Sequence, residues 1–289
     1  MVSLAGVGVA LITPFKEDLS VDYDALDRVI DYVMNGKVNY IVTLGTTGET
    51  ATLTEEEKLA ILNFTYDKVN GRVPIVVGIG GNNTAEVIET IKTWPLEKAA
   101  AILSVSPYYN KPSQEGIYQH YAAIAKSTEK NIILYNVPGR TSSNITADTT
   151  IRLANDFKNI IGTKEASGNM VQCMHLVKNR PAGFLLISGD DHITLPLVAC
   201  GFDGVISVAA NCFAAEFCML VHRALDGNWE KAREIQSKLL VGIDLLFAEN
   251  NPAGVKAFMA EMKLIENVLR LPLVPLSEGL HEQVKEFAG

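Results

Sequence analysis

The sequence predicts a (β/α)8 TIM barrel, an α/β fold, with a C-terminal helical extension. Three observations carry that prediction. Eight short apolar runs recur through residues 1–225, and segments of helical spacing lie between them. Most runs are nearly continuous Val, Ile, Leu and Ala, the pattern of parallel strands covered on both faces. The length of 289 residues suits one large barrel plus an appendage.

The elements follow in order. The run 6–12 predicts the first strand, and Leu26, Val29, Ile30 and Val33 fall three and four apart within 23–35, predicting the first helix. The run 40–45 is the second strand, and Thr54-Glu55-Glu56-Glu57 after it reads as a capping box at a helix start. The runs 74–80 and 99–106 supply the third and fourth strands, and Ser113 before Gln114-Glu115 reads as a second helix start of the same kind. The runs 131–137, 160–166, 184–188 and 204–208 complete eight. From Trp229 onward only helical patterns remain, one beginning near Asn251-Pro252. The expected division is therefore a barrel over 1–225 that carries the active site and a helical extension over 226–289. A doubly wound open sheet is the alternative topology.

Composition narrows the function. With 25 Lys and Arg against 33 Asp and Glu, the net charge is −8. That balance argues against a nucleic-acid binder, which needs a basic face, and gives no reason to expect anionic membranes as a partner. The longest uncharged stretch, 1–15, is short for a membrane span, contains Thr13 and Pro14, and lacks the basic start of a signal peptide. Cys173, Cys200, Cys212 and Cys218 form no CxxC pattern and read as reduced, buried thiols of a cytoplasmic protein.

In a barrel of this kind, chemistry belongs at the C-terminal ends of the strands. Lys164 stands out there, because a lysine in a barrel mouth must be paired or lose its charge, and a neutral amine can attack a carbonyl to form a Schiff base. Pairing with the adjacent Glu165, or snorkelling to solvent, is the bland alternative. Tyr135, one strand earlier, is placed to move the protons that imine formation requires, or else simply fills the barrel. Thr46 and Thr47, between two glycines, offer hydroxyls and backbone N–H groups to a carboxylate or phosphate, or form a structural turn. Arg140 follows Pro138-Gly139 and could pair with a substrate carboxylate, or lie on the surface. The segment 78–83 lacks a complete GxGxxG, and Asp190-Asp191-His192 has no recognised metal-ligand spacing, so neither a dinucleotide nor a metal is expected.

Taken together, Gly45-Thr46-Thr47-Gly48-Glu49, Pro107-Tyr108-Tyr109-Asn110, Tyr135-Asn136-Val137-Pro138-Gly139-Arg140, Gly162-Thr163-Lys164-Glu165 and Ser188-Gly189-Asp190-Asp191 resemble the dihydrodipicolinate synthase family. Its members are pyruvate-dependent class I aldolases, grouped with N-acetylneuraminate lyase. The resemblance covers essentially the whole chain. It implies Schiff-base condensation of pyruvate with L-aspartate 4-semialdehyde to 4-hydroxy-tetrahydrodipicolinate, the first committed step of diaminopimelate and lysine biosynthesis.

By this resemblance Lys164 matches the Schiff-base lysine and Tyr135 the proton-shuttling tyrosine. Thr47 matches the threonine that links Tyr135 to Tyr109, a tyrosine that reaches into a neighbouring subunit's site. Thr46 and Thr47 would hold the pyruvate carboxylate, and Arg140 the carboxylate of the semialdehyde. Main-chain groups at Gly189 and Ile206 would complete the site. The resemblance further implies no metal or other cofactor and a homotetramer built as a dimer of dimers. Thr50, Ala51, Asn82, Glu86 and Tyr108 match the family's feedback site for lysine. Glu55 and Lys58, however, stand where lysine-inhibited enterobacterial members carry histidines, and a cationic Lys58 would repel a bound ammonium group. Weak or absent lysine inhibition is therefore expected. A sibling sugar-acid aldolase, a non-catalytic acid-binding barrel and a phosphate-binding barrel enzyme are the competing readings.

Overall fold

The computed structural model describes residues 3–288, so Met1, Val2 and Gly289 lie outside it. Strand β1 (Gly6–Ala10) leads to helix α1 (Tyr23–Asn35), and β2 (Tyr40–Thr43) to α2 (Glu55–Val69). Then come β3 (Ile75–Gly78) with α3 (Thr84–Thr93), β4 (Ala101–Val105) with α4 (Gln114–Lys126), and β5 (Ile132–Asn136) with α5 (Pro138–Thr141) and α6 (Ala147–Asp156). Strand β6 (Ile160–Glu165) precedes α7 (Met170–Asn179), β7 (Leu185–Ser188) precedes α8 (Thr194–Cys200), and β8 (Gly204–Ser207) precedes α9 (Ala214–Leu225). Three helices follow: α10 (Trp229–Phe247), α11 (Ala253–Glu261) and α12 (Glu278–Ala288).

All neighbouring strands run parallel, and β1 pairs with β8 as well as with β2, so the sheet closes in sequence order. Closure removes the open-sheet alternative. The strands are shorter at their ends than the apolar runs. Leu44, for example, takes a left-handed φ of 57°, which turns the chain out of β2 one residue after Thr43.

Strand alternation builds two apolar layers. Val7, Val9, Ile41, Ile75 and Leu134 face outward against the helices, whereas Tyr40, Val42, Val76, Leu103, Ile133 and Ile187 fill the barrel. The inward ring of Tyr40 is admitted by its register partner Gly8, where a Cβ would sit 2.2 Å from the ring.

Side-chain caps start the helices. Asp22 accepts from Ala25 N–H at α1, and Thr54 and Glu57 form both arms of the expected capping box at α2. Ser113 accepts from Gly116 N–H at α4, but glycine at that position has no side chain to return the bond, so only half of the second box forms.

The extension is packed against the barrel. Helix α11 is buried on all sides from Ala253 to Met259. Phe287 of α12 meets Phe213 and Phe258 edge-on, with ring centroids 5.9 Å apart in each case. Among the described residues no helix is long and apolar enough to cross a membrane. All four cysteines are unpaired, and burial pushes the Cys173 and Cys218 thiols up to about 12.

Candidate active site

A cavity of about 700 Å³ opens at the C-terminal ends of the strands. Thr46, Thr47, Tyr135, Arg140, Lys164 and Gly189 all line it, bringing together six residues expected at a site from four separate strand ends and the loops behind them.

Lys164 is the fifth residue of β6 and stands in register with Tyr135 on β5 and Ile187 on β7. Both it and Tyr135 point into the barrel, and Lys164 Nζ lies 4.3 Å from the centre of the Tyr135 ring. The lysine is only 6% exposed and makes no ion pair among the described residues. Pairing with Glu165 is excluded by the pleat, which sends the next side chain to the opposite face. There the Glu165 carboxylate accepts from Asn136 Nδ2, Gln172 Nε2 and Ser167 N–H. The barrel therefore presents a buried amine against an aromatic face, with its neighbouring carboxylate fully engaged elsewhere.

Gly189 crowds this lysine. Its missing Cβ would lie 2.6 Å from Ala166 Cβ and 3.0 Å from Lys164 Cε, so glycine is what lets β7 approach the lysine stem. Ile206 is buried inside the barrel with Tyr135 but does not line the cavity.

Thr46–Gly48 forms a single 3-10 turn after β2. Thr13 Oγ1 donates to Gly48 O at 2.8 Å and Thr50 Oγ1 to Gly45 O at 3.0 Å, tying the turn at both ends. Thr46 is exposed to the cavity, while Thr47 is buried and accepts from Asn251 Nδ2 at 3.1 Å. No hydrogen bond joins Thr47 to Tyr135 or Tyr109 among the described residues. Arg140 reaches the cavity from α5 and donates from Nη2 to the carbonyl of Asn251 at 3.3 Å.

Tyr109 does not line the cavity of its own chain. It is 88% exposed and held at a left-handed φ of 71°, a conformation that a bulky residue adopts only under constraint. Thr50, Ala51, Asn82, Glu86 and Tyr108 line the same cavity, together with Glu55 and Lys58. Glu55 accepts there from Trp94 Nε1.

The segment 190–192 is absorbed by structure. Asp190 accepts from His192 N–H, and Asp191 accepts from Val208 and Ala209 N–H, fastening β7 to the turn after β8. Burial pushes the Asp191 carboxyl up, against the pull of those donors. Among the described residues no three His, Cys, Asp or Glu side chains are grouped to hold a metal.

Two features escaped the sequence reading. Asn251 belongs to the segment after the barrel, yet its amide and carbonyl touch Thr47 and Arg140. Glu49, at the end of the glycine–threonine turn, forms a fully buried ion pair with Lys256 of α11. Burial drags the Lys256 amine down to about 8 against the opposing pull of Glu49. Asn251-Pro252 carried a helix-start signal, but nothing local marked either residue as part of the site.

A relative from Phocaeicola vulgatus named 4-hydroxy-tetrahydrodipicolinate synthase is 56% identical, covering 98% of this chain and 95% of its own. One of the same name from Parabacteroides distasonis is 54% identical, covering 99% and 96%. The crystal structure of dihydrodipicolinate synthase from Thermotoga maritima superposes with a TM-score of 0.95 at 41% identity, covering 98% of this chain and 97% of that one. The model of the Dihydrodipicolinate synthetase family matches residues 3–288, the same span that folds into the barrel and its helical extension, and the chain belongs to that family.

Proposed function

We propose that the chain is a 4-hydroxy-tetrahydrodipicolinate synthase, a lyase that condenses pyruvate with L-aspartate 4-semialdehyde at the head of diaminopimelate and lysine biosynthesis. The observation that carries this reading is Lys164, buried without an anionic partner and set against the face of Tyr135.

In this scheme the Lys164 amine adds to the C2 carbonyl of pyruvate, and water leaves as the imine forms. The Tyr135 hydroxyl, which makes no hydrogen bond among the described residues and sits on the ring beside the Lys164 amine, delivers and recovers the protons. Thr46 and Thr47 receive the pyruvate carboxylate, joined by the main chain at Gly189, whereas Ile206, which does not line the cavity, packs behind it. Loss of a methyl proton gives an enamine whose carbon attacks the aldehyde, while Arg140 holds the second substrate's carboxylate. The amine of that substrate then displaces Lys164 by transimination, closing the ring and freeing the enzyme. The protons and electrons balance within the two substrates, so no cofactor enters the scheme.

Tyr109, exposed and conformationally constrained, supports a homo-oligomer in which it completes a neighbour's site beside Thr47 and Tyr135. A tetramer of two such dimers, working in the cytoplasm, completes the reading. Lys58, lining the cavity beside Thr50, Ala51, Asn82, Glu86 and Tyr108, supports weak or absent inhibition by lysine. Half-inhibition below about 1 mM would overturn that point.

The test is coupled turnover of pyruvate and L-aspartate semialdehyde with NADPH and the following reductase, alongside borohydride trapping of pyruvate. Turnover and a trapped adduct, both lost in Lys164→Ala, are expected. Pyruvate consumed only with N-acetylmannosamine would keep the Schiff-base mechanism and move the chain to the sibling lyase. No adduct at all would overturn the Schiff-base reading.

A further inference from the structure

We propose that Asn251 is a positioning residue for the reaction, setting the direction in which the Thr47 hydroxyl points. This inference rests on the assignment of Thr47 and Lys164 to the reaction given above. Asn251 is 6% exposed and lies between the barrel and α11, 204 positions along the chain from Thr47. Its Nδ2 can only donate, and it donates to Thr47 Oγ1 at 3.1 Å. That bond occupies a lone pair of the hydroxyl and leaves the hydroxyl proton directed away from Asn251, free for the cavity. A threonine without this partner could rotate and present a lone pair instead.

The surroundings hold Asn251 in that pose. Its main-chain carbonyl accepts from Arg140 Nη2 at 3.3 Å, so one residue touches the groups assigned to both substrates. Five residues on, Lys256 pairs with Glu49, two residues beyond Thr47, so the same helix segment grips the turn at a second point. The amide oxygen of Asn251 is buried and finds no partner among the described residues, a desolvation cost that a purely structural residue would be expected to avoid.

The experiment compares the full-length chain with Asn251→Ala, Asn251→Asp, Thr47→Val and the Asn251→Ala/Thr47→Val pair. It reads the single-turnover rate of imine formation with pyruvate, by borohydride quench and intact mass, together with kcat and KM for the semialdehyde. Asn251→Asp keeps the shape but accepts from Thr47 and so reverses the bond. Both single changes at 251 are expected to lower the imine rate and kcat by about tenfold to a hundredfold. KM for the semialdehyde should change less than threefold, because the carbonyl that meets Arg140 is main chain. In the Thr47→Val background, Asn251→Ala should add no further loss. If Asn251→Ala fails to fold, Asn251→Asp decides. Wild-type imine rates in a folded position-251 variant, or losses that multiply in the double variant, would overturn the proposal. A native chain that traps no pyruvate would instead sink the reaction assignment itself, and that outcome is read before any variant is compared.

Discussion

Replacing Lys256 by methionine tests how the extension holds the catalytic face of the barrel. The amine loses three partners at once: the buried Glu49 carboxylate, the Val268 carbonyl at 2.9 Å and the Phe15 ring, whose centre lies 4.2 Å away. Glu49 keeps the main-chain N–H of Arg270 at 3.1 Å but is left charged and fully buried. Removing one member of a buried pair costs about 3–5 kcal/mol. With about 2.1 cal/mol/K of unfolding entropy per residue, a chain of 289 residues carries about 0.6 kcal/mol/K, so the melting temperature should fall by about 5–8 °C. Calorimetry at pH 7 reads this directly. Adding Glu49→Gln removes the stranded charge, so the Lys256→Met/Glu49→Gln protein should regain at least half of the loss. A single variant that melts within 1 °C of the native chain (about 0.6 kcal/mol) would show that the buried pair does not hold the fold. So would a double variant that melts at the sum of the two single losses.

Further outcomes follow from the site and its supports. Tyr135→Phe should lower kcat by about 10²- to 10⁴-fold without changing the melting temperature, because its hydroxyl bonds to nothing among the described residues; steady-state kinetics with a parallel melt checks both. Gly189→Ala should slow imine trapping by about tenfold to a hundredfold, since its Cβ would sit 3.0 Å from Lys164 Cε. A Gly189→Ala/Ala166→Gly pair should recover part of that rate, because Ala166 Cβ is the closer clash at 2.6 Å. His120 is held neutral by burial, at about 4 against an unfolded value of 6.5, so the unfolded chain binds the extra proton between those values. Stability should therefore fall as pH drops from 6.5 to 4, with His120 costing up to about 3 kcal/mol, and His120→Asn should flatten that limb of the melting curve.

Much of the fold and part of the site were legible in the sequence. A parallel strand buried on both faces leaves a contiguous apolar run, so eight such runs announce eight strands without any knowledge of their neighbours. Strand ends are local too, and the barrel rule turns them into a list on which Lys164, Tyr135, Thr47 and Arg140 already stand. Even the freedom of Lys164 from Glu165 is implicit in the pleat, since adjacent side chains must face opposite ways. The strand termini were less legible, because backbone sterics such as the left-handed Leu44 end the pairing before hydrophobicity ends.

The role of residues that act across long separations is set by the folded chain alone. Asn251 meets Thr47 across 204 positions, and the main chain of Arg270 meets Glu49 across 221. No motif in the sequence singles out Lys256, yet α11 is buried from Ala253 to Met259 and carries that charge into the core. A hydrogen bond or ion pair leaves no periodic trace along the chain, and a lysine carries the same letter whether it is solvated or buried. Only the closed barrel, with its extension folded back over one end, brings these partners within reach.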